Sequence, residues 1–334
     1  MTTSSRPKGA LAQALYCKLN HDHLMDTNFD YQSWYRLGPD IPEHHICPRY
    51  KNKFIEMSID DATQKWLDEA RDTSSKLWTQ IYHVLARLFL GLFLTQTDLN
   101  GFLRRGSMFV LSEYQFKHLL SAGGFNHNFA KNQQMIDILD IGAGDGAVTV
   151  RLAKSVIMSG SNILLKVFCT ETSFFMRERL AERKFTVVDS IRDAENVHLI
   201  ACLNVLDRCV DPFEILTDIH ETLAVNGRAI FALVLPYNPY VEKNSSHMPN
   251  QLLLPDSWTK QRHGEHVTLE SEVVEFFRQL EKHGFVVEAW TKAPYLCEGD
   301  IRQSFYWLTD IVVVVSRSID KHHASCSSIR MPPF

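Results

Sequence analysis

An α/β fold with a mostly parallel sheet and an antiparallel last strand is what this sequence predicts, on three observations. Between residues 135 and 237, short apolar runs rich in Val, Ile, Leu and Phe alternate with amphipathic helical segments. That is the pattern of a parallel sheet covered by helices on both faces. The first of these runs closes on a glycine turn, "LDIGAGDG" at 139–146. Near the C-terminus, "FVVEAWTKA" and "FYWLTDIVVVVSR" follow each other with no room for a helix between them, so those two strands should pair antiparallel.

Taken in order, residues 1–57 are polar and mixed, with prolines at 7, 39, 42 and 48. They read as an irregular, partly disordered N-terminal arm. Residues 58–130 read as a helical extension packed on the core. Trp66, Leu67, Ala70, Leu77, Trp78, Ile81, Leu85, Leu88 and Phe89 recur at helical spacing over 58–95, which predicts one or two helices whose apolar face meets a core. "SEYQFKHLLSAGG" opens on a serine N-cap and closes on Gly123 and Gly124, a short capped helix.

Residues 131–317 form the main domain. Strand-like runs at 135–142, 162–171, 185–189, 196–204 and 227–237 are separated by helical segments at 146–158, 173–183 and 211–224. A polar insertion at 236–269, rich in Pro, Asn and His, precedes a helix at 271–284 with a serine cap and a closing glycine. The antiparallel pair follows, and 318–334 is expected to be a flexible tail. This layout is that of a class I, seven-stranded, Rossmann-like methyltransferase sheet with an N-terminal helical extension.

Composition narrows the possibilities. The chain has 334 residues, 45% hydrophobic and 22% charged, with a net charge of −4. No basic field points to nucleic acid. The seven cysteines show no CxxC pair, which favours a reducing compartment. No secretory signal is seen at the N-terminus. The longest apolar run, "VLARLFLGLFL" at 84–94, contains Arg87 and is too short to span a bilayer. It reads as a buried or interfacial helix. A monomer with no membrane span is the expectation.

The glycine turn carries the chemistry. Gly142, Gly144 and Gly146 let the backbone approach a ligand that the next helix then faces with its N-terminal amides. The spacing also fits a dinucleotide fingerprint, with Ala147 in the last place. Asp140, at the tip of the strand, discriminates. A carboxylate there can accept from the ammonium of S-adenosylmethionine and would repel a pyrophosphate. Glu171, at the end of the next strand, could accept from ribose hydroxyls in either cofactor. Asn204 ends the strand after that, and Asp207 lies three residues on. Asp207 reads equally as a site acid and as a helix N-cap or ion-pair partner of Arg208.

"NGFLRRGSMFVLSEYQF", "LDIGAGDG", "CLNVLDRC", "ALVLPYNPYVE" and "GFVVEAWTKAPYLCEGD", with the spacing between them, closely resemble the DREV family of methyltransferase-like proteins. The resemblance covers about residues 58–316. It implies a protein-L-histidine N-pros (N1) methyltransferase that takes methyl from S-adenosylmethionine and acts on His-x-His motifs in which x is small. It further implies that Asp140, Gly142 and Gly144 form the cofactor turn, that Glu171 binds ribose, and that Asn204 and Tyr295 line the cofactor and the transfer site. Asp207 would be the acid that engages the substrate imidazole. Against the family pattern, the N-terminus reads without the hydrophobic segment that begins vertebrate members, and a polar insertion, "SVIMSGSN", precedes the strand that leads to Glu171.

Three alternatives stand beside this reading: a methyltransferase with another acceptor, a non-catalytic cofactor-binding module, and a nicotinamide oxidoreductase. Glu298 and Asp300 read either as a mouth for a histidine-rich peptide or as a solvated loop. Arg104 and Arg105 ahead of Gly106 and Ser107 read as a lid or as a helix cap. Cys17, His21, His23, His44, His45 and Cys47 are metal-ligand types at no finger spacing, and no metal is expected. His263 and His266 are expected in solvent, and His83 is expected to be a packing residue on an apolar helix.

Overall fold

The computed structural model describes residues 8–38, 46–91, 93–125, 135–157, 163–242, 246–255 and 268–318. Its helices are α1 (Ala10–Thr27), α2 (Pro48–Lys51), α3 (Asp61–Ser75), α4 (Leu77–Leu90), α5 (Gln96–Phe102), α6 (Glu113–Ala122), α7 (Ala147–Val156), α8 (Phe174–Glu182), α9 (Pro212–Thr222) and α10 (Leu269–Lys282). Its strands are β1 (Met108–Phe109), β2 (Met135–Ile141), β3 (Leu164–Thr170), β4 (Thr186–Val188), β5 (Val197–Leu203), β6 (Leu223–Leu235), β7 (Phe285–Glu298) and β8 (Phe305–Arg317).

All eight strands lie in one sheet, in the order β1-β7-β8-β6-β5-β2-β3-β4. The pairs β2–β3, β2–β5, β3–β4 and β5–β6 are parallel. β8 runs antiparallel between β6 and β7. The parallel sheet with an antiparallel last strand is therefore as expected, and the short edge strand β1 is an addition to the seven.

Strand alternation divides the core into two layers. Leu139, Ile141, Ile200, Cys202, Phe231 and Val313 face Leu216 and Ile219 of α9 and Phe276, Phe277 and Leu280 of α10. Ile138, Leu199, Ala201, Ile230, Val312 and Val314 face Phe116 and Leu119 of α6, Leu152 of α7, and Trp66 and Leu67 of α3. Cys169 and Cys202 are buried free thiols, as their apolar strands suggest.

Four expectations need correction. The first concerns residues 1–57, read as irregular. They hold the 18-residue helix α1 and bury Trp34, Tyr35, Ile46, Tyr50 and Met57 in the two core layers. The Ile55 amide donates to the Trp290 carbonyl at 2.8 Å, and the Trp290 amide donates to the Lys53 carbonyl at 2.9 Å. A few large apolar side chains anchor the stretch, and averaging over composition hides them.

The second is the packing of 58–95. α3 buries Trp66, Leu67 and Ala70 as expected, but α4 buries Gln80 and His83 and leaves Trp78, Leu85, Leu88 and Phe89 exposed. His83 is thus buried on the polar face of its helix. Third, the polar insertion after β6 buries Tyr237, Val241, Leu253 and Leu254. Fourth, the N-cap of α10 is Thr268, with Ser271 closing a capping box from its third position. Residues 319–334, His44, His45, His263 and His266 lie outside the described residues.

Candidate active site

The parallel strands deliver their C-terminal ends to one edge, so Asp140, Glu171, Asn204 and the glycine turn come together there. Ile141 of β2 is in register with Thr170 of β3 and with Cys202 of β5. After Ile141 the chain passes through Gly142 at φ 66° and Gly144 at φ 54°, conformations that side chains disfavour. A Cβ on Gly142 would lie 2.7 Å from Val205 Cγ2, whereas one on Gly144 would meet nothing within 4 Å. The turn is packed at its first glycine and open at its second.

The acids around this turn are bonded to the chain itself. Asp140 is buried and accepts from Thr149 Oγ1, in α7, at 2.5 Å. Burial drives its carboxyl up to about 7, with Thr149 opposing and the nearby Glu171 reinforcing the shift. Glu171 bridges loops. Its Oε2 accepts from the Gly144 amide at 3.0 Å, and its Oε1 from the Thr172 and Ser173 amides at 2.7 and 2.9 Å. Asp145 caps the Ala147 amide at 3.0 Å and meets Arg179 at 2.9 Å.

The other half of the edge differs. Asn204, at φ 57°, donates its backbone amide to the Ala232 carbonyl at 3.0 Å. Its Nδ2 donates to Asp310 Oδ2 at 2.9 Å. Asp207 is buried, and its Oδ2 lies 3.1 Å from Arg208 Nε. Burial pushes the Asp207 carboxyl up, and Arg208 pulls against it. The ion-pair alternative for Asp207 is therefore present, while Asp211 is the residue that caps α9. Asn204 Oδ1, Asp207 Oδ1 and Asp310 Oδ1 are all buried without a hydrogen-bond partner among the described residues. Tyr295 of β7 donates its hydroxyl to Met108 Sδ at 2.6 Å. Its hydroxyl pKa is raised by burial, and Cys297, Asp310 and Asp207 add to the shift.

Asp310 is the residue that sequence reasoning missed. It is fully buried on β8, and burial with its neighbour Asp207 drives its carboxyl up to about 7. The signal was a lone carboxylate inside the apolar run "YWLTDIVVVV". Glu298 and Asp300 are tied to backbone amides. Glu298 Oε2 accepts from the Gly106 and Ser107 amides at 2.7 and 3.1 Å, and Asp300 Oδ1 accepts from the Arg302 amide at 2.7 Å. The "RRGSMF" stretch leads into β1, which pairs with β7 through Met108 and Phe109. Arg104 bonds Glu182 at 2.5 Å and Arg105 the Gly299 carbonyl at 2.7 Å.

A family model described as DREV methyltransferase matches residues 34–317, most of the chain and well into the N-terminal stretch. Solved structures overlap more loosely. CalH, a trans-methyltransferase in complex with S-adenosylhomocysteine, is 16% identical, with a TM-score of 0.42 over 77% of this chain and 73% of that one. A TehB-like S-adenosylmethionine-dependent methyltransferase from Corynebacterium glutamicum is 16% identical, with a TM-score of 0.35 over 61% and 95%. The 1,6-didemethyltoxoflavin-N1-methyltransferase of Burkholderia thailandensis is 14% identical, with a TM-score of 0.35 over 60% and 78%.

Proposed function

The chain belongs to the DREV methyltransferase family, and on that premise we propose that it methylates the Nπ (N1) atom of histidine in His-x-His motifs of proteins. S-adenosylmethionine is its cofactor, and the nicotinamide alternative falls away. When bound, that cofactor supplies an electrophilic methyl group on a sulfonium. The residues at the glycine turn fit it. The turn leaves open space at Gly144, with the Glu171 carboxylate held beside it.

One observation supports the histidine reading over other acceptors. Asn204, Asp207 and Asp310 bury three oxygens that lack donors among the described residues. A substrate that completes this site brings N–H groups, because an unsatisfied buried acceptor costs about 1–3 kcal/mol. Neutral imidazole carries an N–H and a nucleophilic lone pair on opposite nitrogens of one ring. Its reference pKa of about 6.5 leaves it mostly neutral at pH 7. Accepting from Nτ–H, Asp207 selects the tautomer with Nπ free and stabilises the imidazolium that forms, the orienting role an Asp plays toward His in a catalytic triad. Arg208 on the other oxygen favours the ionised form of Asp207 and opposes the effect of its burial. Asn204 and Tyr295 shape the space for the ring.

The test is mass spectrometry of a peptide with His-Ala-His, incubated with the protein and S-adenosylmethionine. The expected result is one added methyl group, recovered after hydrolysis as 1-methylhistidine. Recovery of 3-methylhistidine, or an unmodified peptide beside turnover of another acceptor, would defeat the proposal.

A further inference from the structure

α4 is packed inside out. Its polar side, Gln80 and His83, faces the protein, where Gln80 Nε2 donates to the Thr73 carbonyl at 3.2 Å. Its apolar side faces away. Trp78 is 84% exposed, Phe89 71%, and Phe93 in the following turn 84%. Leu77, Tyr82, Leu85 and Leu88 are exposed among them. Exposed apolar surface on this scale marks a binding face.

We propose that this face docks on a membrane surface carrying anionic headgroups. The charge of the segment favours that partner. From residue 76 to 97 the charged residues are Lys76 and Arg87, both basic, with no acid before Asp98. Arg105 and Arg302 line the groove between α1 and α4, against Asp300 alone. A helix with Trp, Phe and Leu on one face and basic residues at its border lies in the headgroup plane. It does not cross: no helix among the described residues is long and apolar enough to do so. A second copy of the chain is a poorer occupant, since a two-fold contact through this face would oppose like charges.

Its place in the fold matters too. The groove beside α4 includes Asp300, Ile301, Arg302 and Tyr306 of the β7–β8 hairpin. β7 runs parallel to the central strands, because both it and β6 are antiparallel to β8. Its C-terminal end therefore lies on the same edge of the sheet as the candidate site.

Sedimentation of the full chain with vesicles tests the proposal, whatever the methyl acceptor. The protein should pellet with vesicles of phosphatidylcholine and phosphatidylserine, less so as salt rises. Trp78→Ser combined with Phe89→Ser and Phe93→Ser should weaken binding at least about tenfold. Lys76→Glu with Arg87→Glu should weaken it about tenfold on anionic vesicles and leave binding to pure phosphatidylcholine unchanged. All five side chains are exposed, so the variants should keep the parental melting temperature. The proposal is overturned if the parent stays in the supernatant with anionic vesicles, or if the triple variant pellets like the parent. Light scattering that shows a dimer which the triple variant converts to a monomer would assign the face to a second copy instead.

Discussion

Around the glycine turn, Asp140 is bonded to Thr149, Glu171 to three backbone amides, and Asp145 to Ala147 and Arg179. Beyond β5, Asn204, Asp207 and Asp310 each bury an oxygen with no donor among the described residues. The carboxylates of the two halves of one sheet edge thus differ in how far the chain satisfies them, although Arg179 Nη1 on the turn side is also without a partner among the described residues. The turn is held in shape largely by the chain itself, whereas the second half, on the proposed function, would be completed by donors from a substrate. Such asymmetry suits a fixed cradle for a recurring cofactor beside a pocket whose polar atoms select the acceptor.

The largest break between the halves should come from Asp207→Asn. An amide can turn its NH2 toward the imidazole and favour the wrong tautomer. Turnover should fall about 1000-fold or more, while S-adenosylhomocysteine binding by calorimetry stays within about twofold. If both fall together, the two halves are not separable.

Glu171→Ala should do the converse. It removes the acceptor expected for ribose and the bridge to Gly144, so cofactor affinity should drop about 100-fold. Single-turnover transfer at saturating cofactor should change far less. Equal losses in both readings would contradict the division.

Gly144→Ala is milder. Space is open at that position, but a left-handed Ala costs roughly 1–2 kcal/mol. Cofactor affinity should weaken about tenfold, and a parental dissociation constant would show that the turn tolerates side chains.

The last effect is one of stability. Burial raises the Asp310 carboxyl to about 7 in the folded state, above its unfolded value of about 3.9. The folded protein then holds a proton that the unfolded chain releases. This contribution is full below about pH 4 and is lost as pH rises toward 7, at up to ~1.4 kcal/mol per pH unit. Asp140 contributes in the same direction. Asp310→Asn should flatten the decline measured by denaturant unfolding between pH 4 and 7, and an unchanged slope would show that Asp310 ionises normally.

Neighbouring helices show where sequence reading stops. α3 and α4 both have helical periodicity, and both form. α3 turns Trp66 and Leu67 into the core, while α4 turns Trp78 and Phe89 outward. Periodicity states that one face is apolar, and the partner of that face depends on what else reaches it. The same holds at the site. Asp140, Gly142, Gly144 and Glu171 were legible because each lies next to a strand end. Asp310 was not, because it reaches Asn204 from a strand 106 residues later in the chain.

By itself the sequence determined the strand and helix order from residue 135 onward, the antiparallel last strand, and the glycine turn with its acids. Those depend on local spacing, on side-chain periodicity and on what glycine permits. Tertiary structure decided that the described residues before 58 join the core, that α4 faces outward, and that Asn204, Asp207 and Asp310 come together. Those outcomes depend on which distant surfaces meet and which buried atoms are left without donors, and local spacing carries no record of either.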